Sequence, residues 1–310
     1  MSHLPGGGLR VGVVGAGRVG AVLAARLHTS GHRVVAVAGE SDASRARITD
    51  LLPGLEPQRP SAVARACDLL LLTVPDDMLP NVVRVLADSG ALHPGQLVAH
   101  TSGRHGLAVL EPARAVGARP LALHPALTFT GTRLDLDRLT GCVVGLTSGP
   151  AEREVAEALV ADLGARPTWV PEEMRTLYHA GLAHGANHLV TLVTEAMEML
   201  AAAGVDDPAG TLRPLLGAAL DNALADGDAA LTGPIVRGDV GTVTAHLADL
   251  RAAAPQALGS YVALARATVA RAVTDGRLVP LRAHALGQVL DAAVAADRSG
   301  VADPAAGDAR

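Results

Sequence analysis

With 310 residues the chain is long enough for two domains, and 49% hydrophobic against 18% charged residues marks a folded globular protein rather than a disordered one. A net charge of -5 gives no basic footprint for nucleic acid or an anionic membrane, so neither partner is expected. All 26 basic residues are arginine, which excludes a Walker A lysine, a Schiff-base lysine and a lysine general acid.

The opening MSHLPGGGLRVGVVG lacks the basic region, apolar run and cleavage site of a secretion signal. No segment offers the roughly 18 unbroken apolar residues of a membrane span, and a cytoplasmic location is expected. Cys67 and Cys142, far apart in the chain, read as buried thiols rather than a disulfide.

Arg10 to Gly15 (RVGVVG) is a β-branched run ending in glycine, and Arg18 to Thr29 then spaces Val19, Val22, Leu23 and Leu27 as a helix does. Arg33 to Ala38 reads as a second strand and Ala43 to Leu52 as a helix. Asp68 to Val74 (DLLLLTV) is a continuous apolar run of strand length, suited to a parallel strand covered on both faces. Gln96 to His100, Arg119 to Leu123 and Cys142 to Leu146 add further strands, and the alternation predicts an α/β fold with a doubly wound parallel sheet. After Pro171 the texture becomes helical: Glu172 to Ala203 reads as one helix about 45 Å long at 1.5 Å per residue. Helices at Pro208 to Ala225, Asp239 to Ala253, Gln256 to Thr274 and Leu281 to Ala296 follow. The expected organisation is a dinucleotide-binding domain over 1–170, an all-α domain for substrate and dimerisation over 171–298, and a loose tail over 299–310.

Between the first strand and helix, Gly15, Gly17 and Gly20 form GxGxxG. The first glycine permits the tight turn, the second lets backbone approach a pyrophosphate, and the third lets helix and strand pack closely. The loop Gly15, Ala16, Gly17, Arg18, Val19 and Gly20 is therefore expected to hold NAD or NADP at the helix N-terminus. Glu40, at the end of the second strand, suits the ribose hydroxyls of NAD, whereas Arg45 and Arg47 could hold the 2′-phosphate of NADP; the lean is to NAD. Val74 and Pro75 end the apolar strand at its carboxyl edge, where backbone contact with the cofactor is expected and an ordinary proline turn is the alternative.

These motifs are joined by HTSG at His100 to Gly103, LHPALTF at Leu123 to Phe129, YHAGLAHGAN at Tyr178 to Asn187 and LTGPIVRGDVGTVTAHL at Leu231 to Leu247. On them the chain resembles an uncharacterised family of Rossmann-like proteins with an all-helical C-terminal domain of unknown function. That family is related to pyrroline-5-carboxylate reductase and to the 6-phosphogluconate and β-hydroxyacid dehydrogenases. The resemblance implies a nicotinamide-dependent oxidoreductase with its site between the domains, built as a homodimer through the helical half. In the β-hydroxyacid dehydrogenases a serine contacts substrate and a lysine is followed one helical turn later by an asparagine. Ser102 and Asn187 look like the serine and asparagine, but the lysine is absent.

With lysine excluded, histidine is the best remaining proton donor. On an ideal helix His179, Ala183 and Asn187 share a drifting face, His184 lies beside it, and Tyr178 points about 100° away from His179. His179 and Asn187 are expected to face the nicotinamide, with His124 and Ser102 completing a polar wall. His184 and His188 read as packing residues. HGANH has zinc-like spacing, but it lacks the glutamate of H-E-x-x-H and a third ligand, so no metal is expected. Around Arg237, Gly233, Pro234 and Gly238 read as a rigid turn with Arg237 and Asp239 capping helices. The expected activity is hydride transfer with a small 2-oxo or hydroxy acid, ketopantoate being a first candidate. A cyclic-imine reductase and a non-catalytic dinucleotide sensor are the alternatives.

Overall fold

A computed structural model describes residues 7–300, with side chains through 295. Residues 301–310, most of the expected tail, lie outside the described residues. The chain forms two compact units, one up to Ala186 and one from Asn187.

The first unit opens with β1 (Arg10–Val14), α1 (Arg18–Thr29) and β2 (Arg33–Ala38). Then come α2 (Asp42–Leu51), α3 (Pro60–Ala66), β3 (Leu69–Leu72), α4 (Leu79–Asp88), β4 (Leu97–His100), α5 (Glu111–Ala115) and β5 (Arg119–Pro125). The unit continues through α6 (Leu134–Arg138), β6 (Val143–Ser148), α7 (Arg153–Asp162), β7 (Arg166–Trp169) and α8 (Arg175–Leu182). The sheet order is β2-β1-β3-β4-β5-β6-β7. Successive leucines of β3 point to opposite faces: Leu69 and Leu71 join the core with α1 and α7, Leu70 and Leu72 the core with α3 and α4. Burial on both faces is why this strand is uninterruptedly apolar.

Two features depart from an all-parallel sheet. β6 runs antiparallel to β5, and β7 pairs parallel with β6. The five-residue α6 is too short to carry the chain back along the sheet, so the chain re-enters from the edge where β5 ends. β7 has no counterpart in the sequence reading, because its four residues include Pro167, which an edge strand tolerates.

The helix expected over Glu172 to Ala203 is interrupted. A 3-10 turn at Glu172–Met174 precedes α8, and a π-helical turn at Ala183–Asn187 separates it from α9 (His188–Ala202). The ideal-helix alignment of His179 with Asn187 therefore does not carry through, since the π turn bonds i to i+5. The sequence boundary near residue 171 marks the end of the strands; the compact first unit continues through α8.

The second unit is helical throughout its described residues: α9, α10 (Pro208–Asp226), α11 (Pro234–Arg237), α12 (Val240–Ala253), α13 (Leu258–Thr274) and α14 (Pro280–Gly300). Its core is built from Val243, Leu247 and Leu250 of α12 against Val262, Leu286 and Leu290. Gly233 and Gly238 have φ of +93° and +71°, as a glycine turn around α11 requires. Asp239 stands at the N-cap of α12 but makes no side-chain cap; its carboxylate takes Arg237 Nε at 2.8 Å instead, which corrects the capping expectation. No residue of α9 is buried, and Leu189, Val190, Leu192, Leu215, Leu220 and Leu224 of α9 and α10 are exposed. Among the described residues no helix is long and apolar enough to cross a membrane.

The loop leaving β5 is held by Asp135, fully buried, which accepts from Thr130 N and Gly131 N at 2.7 Å each and from Thr130 Oγ1 at 3.1 Å. Asp135→Ala leaves the buried Gly131 N–H without its acceptor and is expected to destabilise the protein by about 2 kcal/mol, read as a lowered urea midpoint.

Candidate active site

The glycine loop is shaped at each position. Gly15 has φ +98°, and a Cβ there would stand 2.8 Å from the Thr73 carbonyl carbon and oxygen. Its N–H and that of Ala16 donate to Ala38 O at 3.0 and 2.9 Å, tying the turn to β2. A Cβ on Gly20 would fall on Thr73 Oγ1 and lie 2.6 Å from Gly15 O, so helix and strand meet there without room for a methyl. Gly17 is different: the nearest atom to its would-be Cβ is Gly15 O at 3.8 Å. Protein packing does not require glycine at 17, whereas a pyrophosphate seated on the backbone does. α1 begins there with no side-chain cap and no acidic residue in its first turn, and Arg18 is exposed beside it. The loop fits a dinucleotide.

Thr73, Val74 and Pro75 follow β3 beside this turn. Pro75 O accepts from Met78 N and Leu79 N and so also starts α4. Exposed Glu40 follows β2, and Arg45 Nη2 donates to its carbonyl at 2.8 Å, so the residue suited to a ribose and the one suited to a 2′-phosphate are neighbours.

At the carboxyl edges of β4 and β5, one face of the 172–182 segment grips the loop after β4 through residues 172, 175 and 179, spaced as helical neighbours are. Glu172 Oε2 and Oε1 accept from Leu107 N and Ala108 N at 2.7 and 3.1 Å. Arg175 Nη2 donates to Ser102 O at 2.8 Å and Nη1 to Thr147 Oγ1 at 3.0 Å. The His179 ring lies on Gly103, where a Cβ would stand 2.8 Å from its Cγ and 3.0 Å from His124 Nε2. His124 Nδ1 is 3.3 Å from Tyr178 Oη, and its ring centroid is 5.6 Å from that of His179. Gly145, opposite His124 on β6, leaves room for the phenol; a Cβ there would be 2.6 Å from Tyr178 Oη.

Burial holds His124 down to about 4, aided by neighbouring His179 and Arg175, so the ring is neutral at neutral pH. His100 is likewise lowered to about 4, chiefly by burial; Nε2 is 2.8 Å from Gly106 O, and Nδ1 accepts from Ser102 N. Burial raises Tyr178, with Arg175 opposing, so the phenol keeps its proton at neutral pH. Burial also lowers Arg175, which remains a cation.

Of the expected site residues, His124, His179 and Ser102 come together around Gly103. Ser102 is buried, and its Oγ accepts from His105 N at 3.1 Å. Asn187 is exposed where the π turn ends, at the start of the second unit, and His184 and His188 are exposed on either side of it. Among the described residues no group of three or more His, Cys, Asp or Glu could hold a metal. The sequence turns Tyr178 away from His179 and singles out nothing at Arg175, so neither was expected in the site. The available signal for Tyr178 was Gly145, a glycine inside a strand, which marks close approach of another group. The signal for Arg175 was its position four residues before His179, on the same helical face.

Residues 2–125 match a Rossmann-like domain, and residues 142–268 match a domain of unknown function, DUF2520. The chain thus joins these two domains, as its motifs suggested, with the second match starting at the entry to β6. No curated protein matches by sequence. Among solved structures, a Bacteroides fragilis protein designated an NADP oxidoreductase is similar at 20% identity and TM-score 0.72, covering 84% of this chain and 98% of its own. An imine reductase from Myxococcus stipitatus in complex with NADP+ is similar at 15% identity and TM-score 0.57, covering 93% and 94%. Plasmodium falciparum pyrroline carboxylate reductase with NADP bound is similar at 12% identity and TM-score 0.53, covering 93% and 97%. At these identities the likeness is one of fold.

Two tests follow from the geometry. Gly17→Ala should leave the denaturation midpoint nearly unchanged while weakening dinucleotide binding about tenfold or more, whereas Gly20→Ala should destabilise by about 1–3 kcal/mol. Calorimetric titration and urea unfolding of both variants separate the two roles. The lowered histidines make stability depend on pH. Below their ordinary value of 6.5 the unfolded chain binds protons that folded His100 and His124 refuse, so their contribution is complete above pH 6.5 and lost as pH falls toward about 4. Within that window each pH unit should remove about 1.4 kcal/mol per histidine. Urea midpoints across the window should fall less steeply in His124→Gln.

Proposed function

We propose that the protein is a nicotinamide-dinucleotide-dependent oxidoreductase acting on a small 2-oxo or hydroxy acid. The carrying observation is the open space above Gly17, which packing leaves unused, in the same unit as the proton-holding cluster of Tyr178, His124 and His179. The glycine loop would bind the pyrophosphate, Glu40 the adenosine ribose, and the Val74–Pro75 backbone the nicotinamide half. Bound there, the nicotinamide supplies the hydride.

The chain's own groups supply the proton. With its pKa lowered to about 4, His124 carries almost no imidazolium at neutral pH, so the proton for the substrate oxygen is held on Tyr178 Oη. With its own proton on Nδ1, His124 donates to that oxygen and steadies it as the proton leaves. His179 stands beside His124 as the group orienting the substrate, and Ser102 completes the polar wall with His124.

Arg175 supports an anionic substrate over an iminium cation, because it is a buried charge with only neutral acceptors. Ketopantoate is the first candidate, and a cyclic imine bearing a carboxylate is the second, favoured by the likeness to pyrroline carboxylate reductase and imine reductase. NAD is our choice of dinucleotide from Glu40, with Arg45 the reason to test NADP. The exposed leucines of α9 and α10 support a homodimer through the helical unit.

Fluorescence titration with NADH and with NADPH should show binding, tighter for NADH. Binding of neither would sink the reading. With the cofactor that binds, Tyr178→Phe should lower turnover of a 2-oxo acid about a hundredfold, and His179→Ala should lower turnover far more than dinucleotide affinity.

A further inference from the structure

Arg175 is the largest fully buried side chain among the described residues, 0% exposed, and a charged one. Both its hydrogen bonds end on neutral oxygens, Ser102 O and Thr147 Oγ1, and among the described residues its Nε has no partner. A buried cation is expensive to keep without a carboxylate bonded directly to it, and the carboxylates of Glu172 and Asp76 act on Arg175 only through space. A neutral amide could make the same two bonds, so holding the loop does not explain the charge.

The register of the sheet shows what the charge faces. Thr147 and Gly145 are alternate residues of β6 on one face, paired with Ala122 and His124 of β5. Arg175 rests on Thr147 and Tyr178 rests over Gly145, so guanidinium and phenol lie side by side on one strand, three residues apart on α8. The titratable groups around the phenol are His124 from β5, Cys142 ahead of β6, and Arg175 and His179 from α8. Two carboxylates face the guanidinium, Glu172 from the turn that precedes α8 and Asp76 from the turn after β3, and Asp76 also faces His124.

We propose that Arg175 is an electrostatic positioning residue whose buried charge stabilises the phenolate left on Tyr178 when its proton passes to the substrate. This rests on the reading of Tyr178 as proton donor. In the step the Tyr178 O–H bond breaks, an O–H bond forms on the substrate oxygen, the electron pair stays on Oη beside the guanidinium, and solvent later returns the proton. The expense of burying the cation is then offset when the site carries negative charge.

The chain has two tyrosines, Tyr178 and Tyr261, so in a Tyr261→Phe background phenolate absorbance reports Tyr178 alone without any substrate. Arg175→Met, which fills the site with an apolar side chain, and Arg175→Gln should each raise the titration midpoint by about one pH unit, a tenfold weaker acid. Circular dichroism at each pH verifies that the protein is folded. A midpoint unchanged in a folded variant overturns the proposal. So does failure of both variants to fold, which would assign the charge to stability. The titration is independent of turnover: a shifted midpoint with full activity in Tyr178→Phe would keep the coupling and retire Tyr178 as donor. An unshifted midpoint with lost activity would do the reverse.

Discussion

The loop from Thr101 to Ala108 is the point on which the site turns, and it is held by a single helical face. Glu172 caps two of its N–H groups, Arg175 takes the Ser102 carbonyl, and the His179 ring fills the space that Gly103 leaves. Because these contacts come from residues 172, 175 and 179, the rotation of α8 is fixed, and with it the direction of Tyr178 toward β6. Glycines at 103, 106 and 145 are the complement of this arrangement. Each lacks a side chain where His179, Glu172 or Tyr178 must stand.

Arg104 extends the same loop toward the dinucleotide side. It pairs with Asp76 at 3.5 Å and Asp77 at 2.8 Å, joining the turn after β3 to the loop after β4. Exposed pairs of this kind contribute little to stability. Their consequence is geometric, since the turn that borders the glycine loop and the loop that carries Ser102 become one edge. The cofactor cradle and the histidine cluster are thereby built on adjoining strands of one sheet, at the carboxyl edges where α/β sheets bind ligands.

Burial shapes the chemistry of the cluster more than any single partner does. His100 and His124 are both held neutral by desolvation, and the phenol of Tyr178 keeps its proton for the same reason. In a chain without lysine, the remaining positive charge at the site is Arg175, which is fixed in place and does not titrate near neutral pH. The site thus combines proton-holding neutral groups with one permanent cation, an arrangement suited to transient negative charge.

Local sequence determined the parts of this protein that depend on backbone and periodicity. Gly15 and Gly17 lie between β1 and α1 and Gly20 in the first turn of α1 as their spacing requires, DLLLLTV contains the doubly covered β3, and the helical second unit is written in its alanine and leucine pattern. His124, His179 and Ser102 were legible as a polar set because each sits in a motif at a predicted strand edge or helix. Tertiary structure alone decided the antiparallel entry of β6, since a short α6 leaves direction to the packing of the whole sheet. It also decided the π turn that breaks the spacing from His179 to Asn187, and the fate of Arg175 and Tyr178. Sequence spacing turns Tyr178 about 100° from His179 and assigns Arg175 nothing, because it gives angles about a helix axis but not what waits at each angle. Arg175 meets Ser102 and Thr147 there, and Tyr178 meets Gly145 and His124, partners that are distant in the chain and adjacent only in the folded sheet.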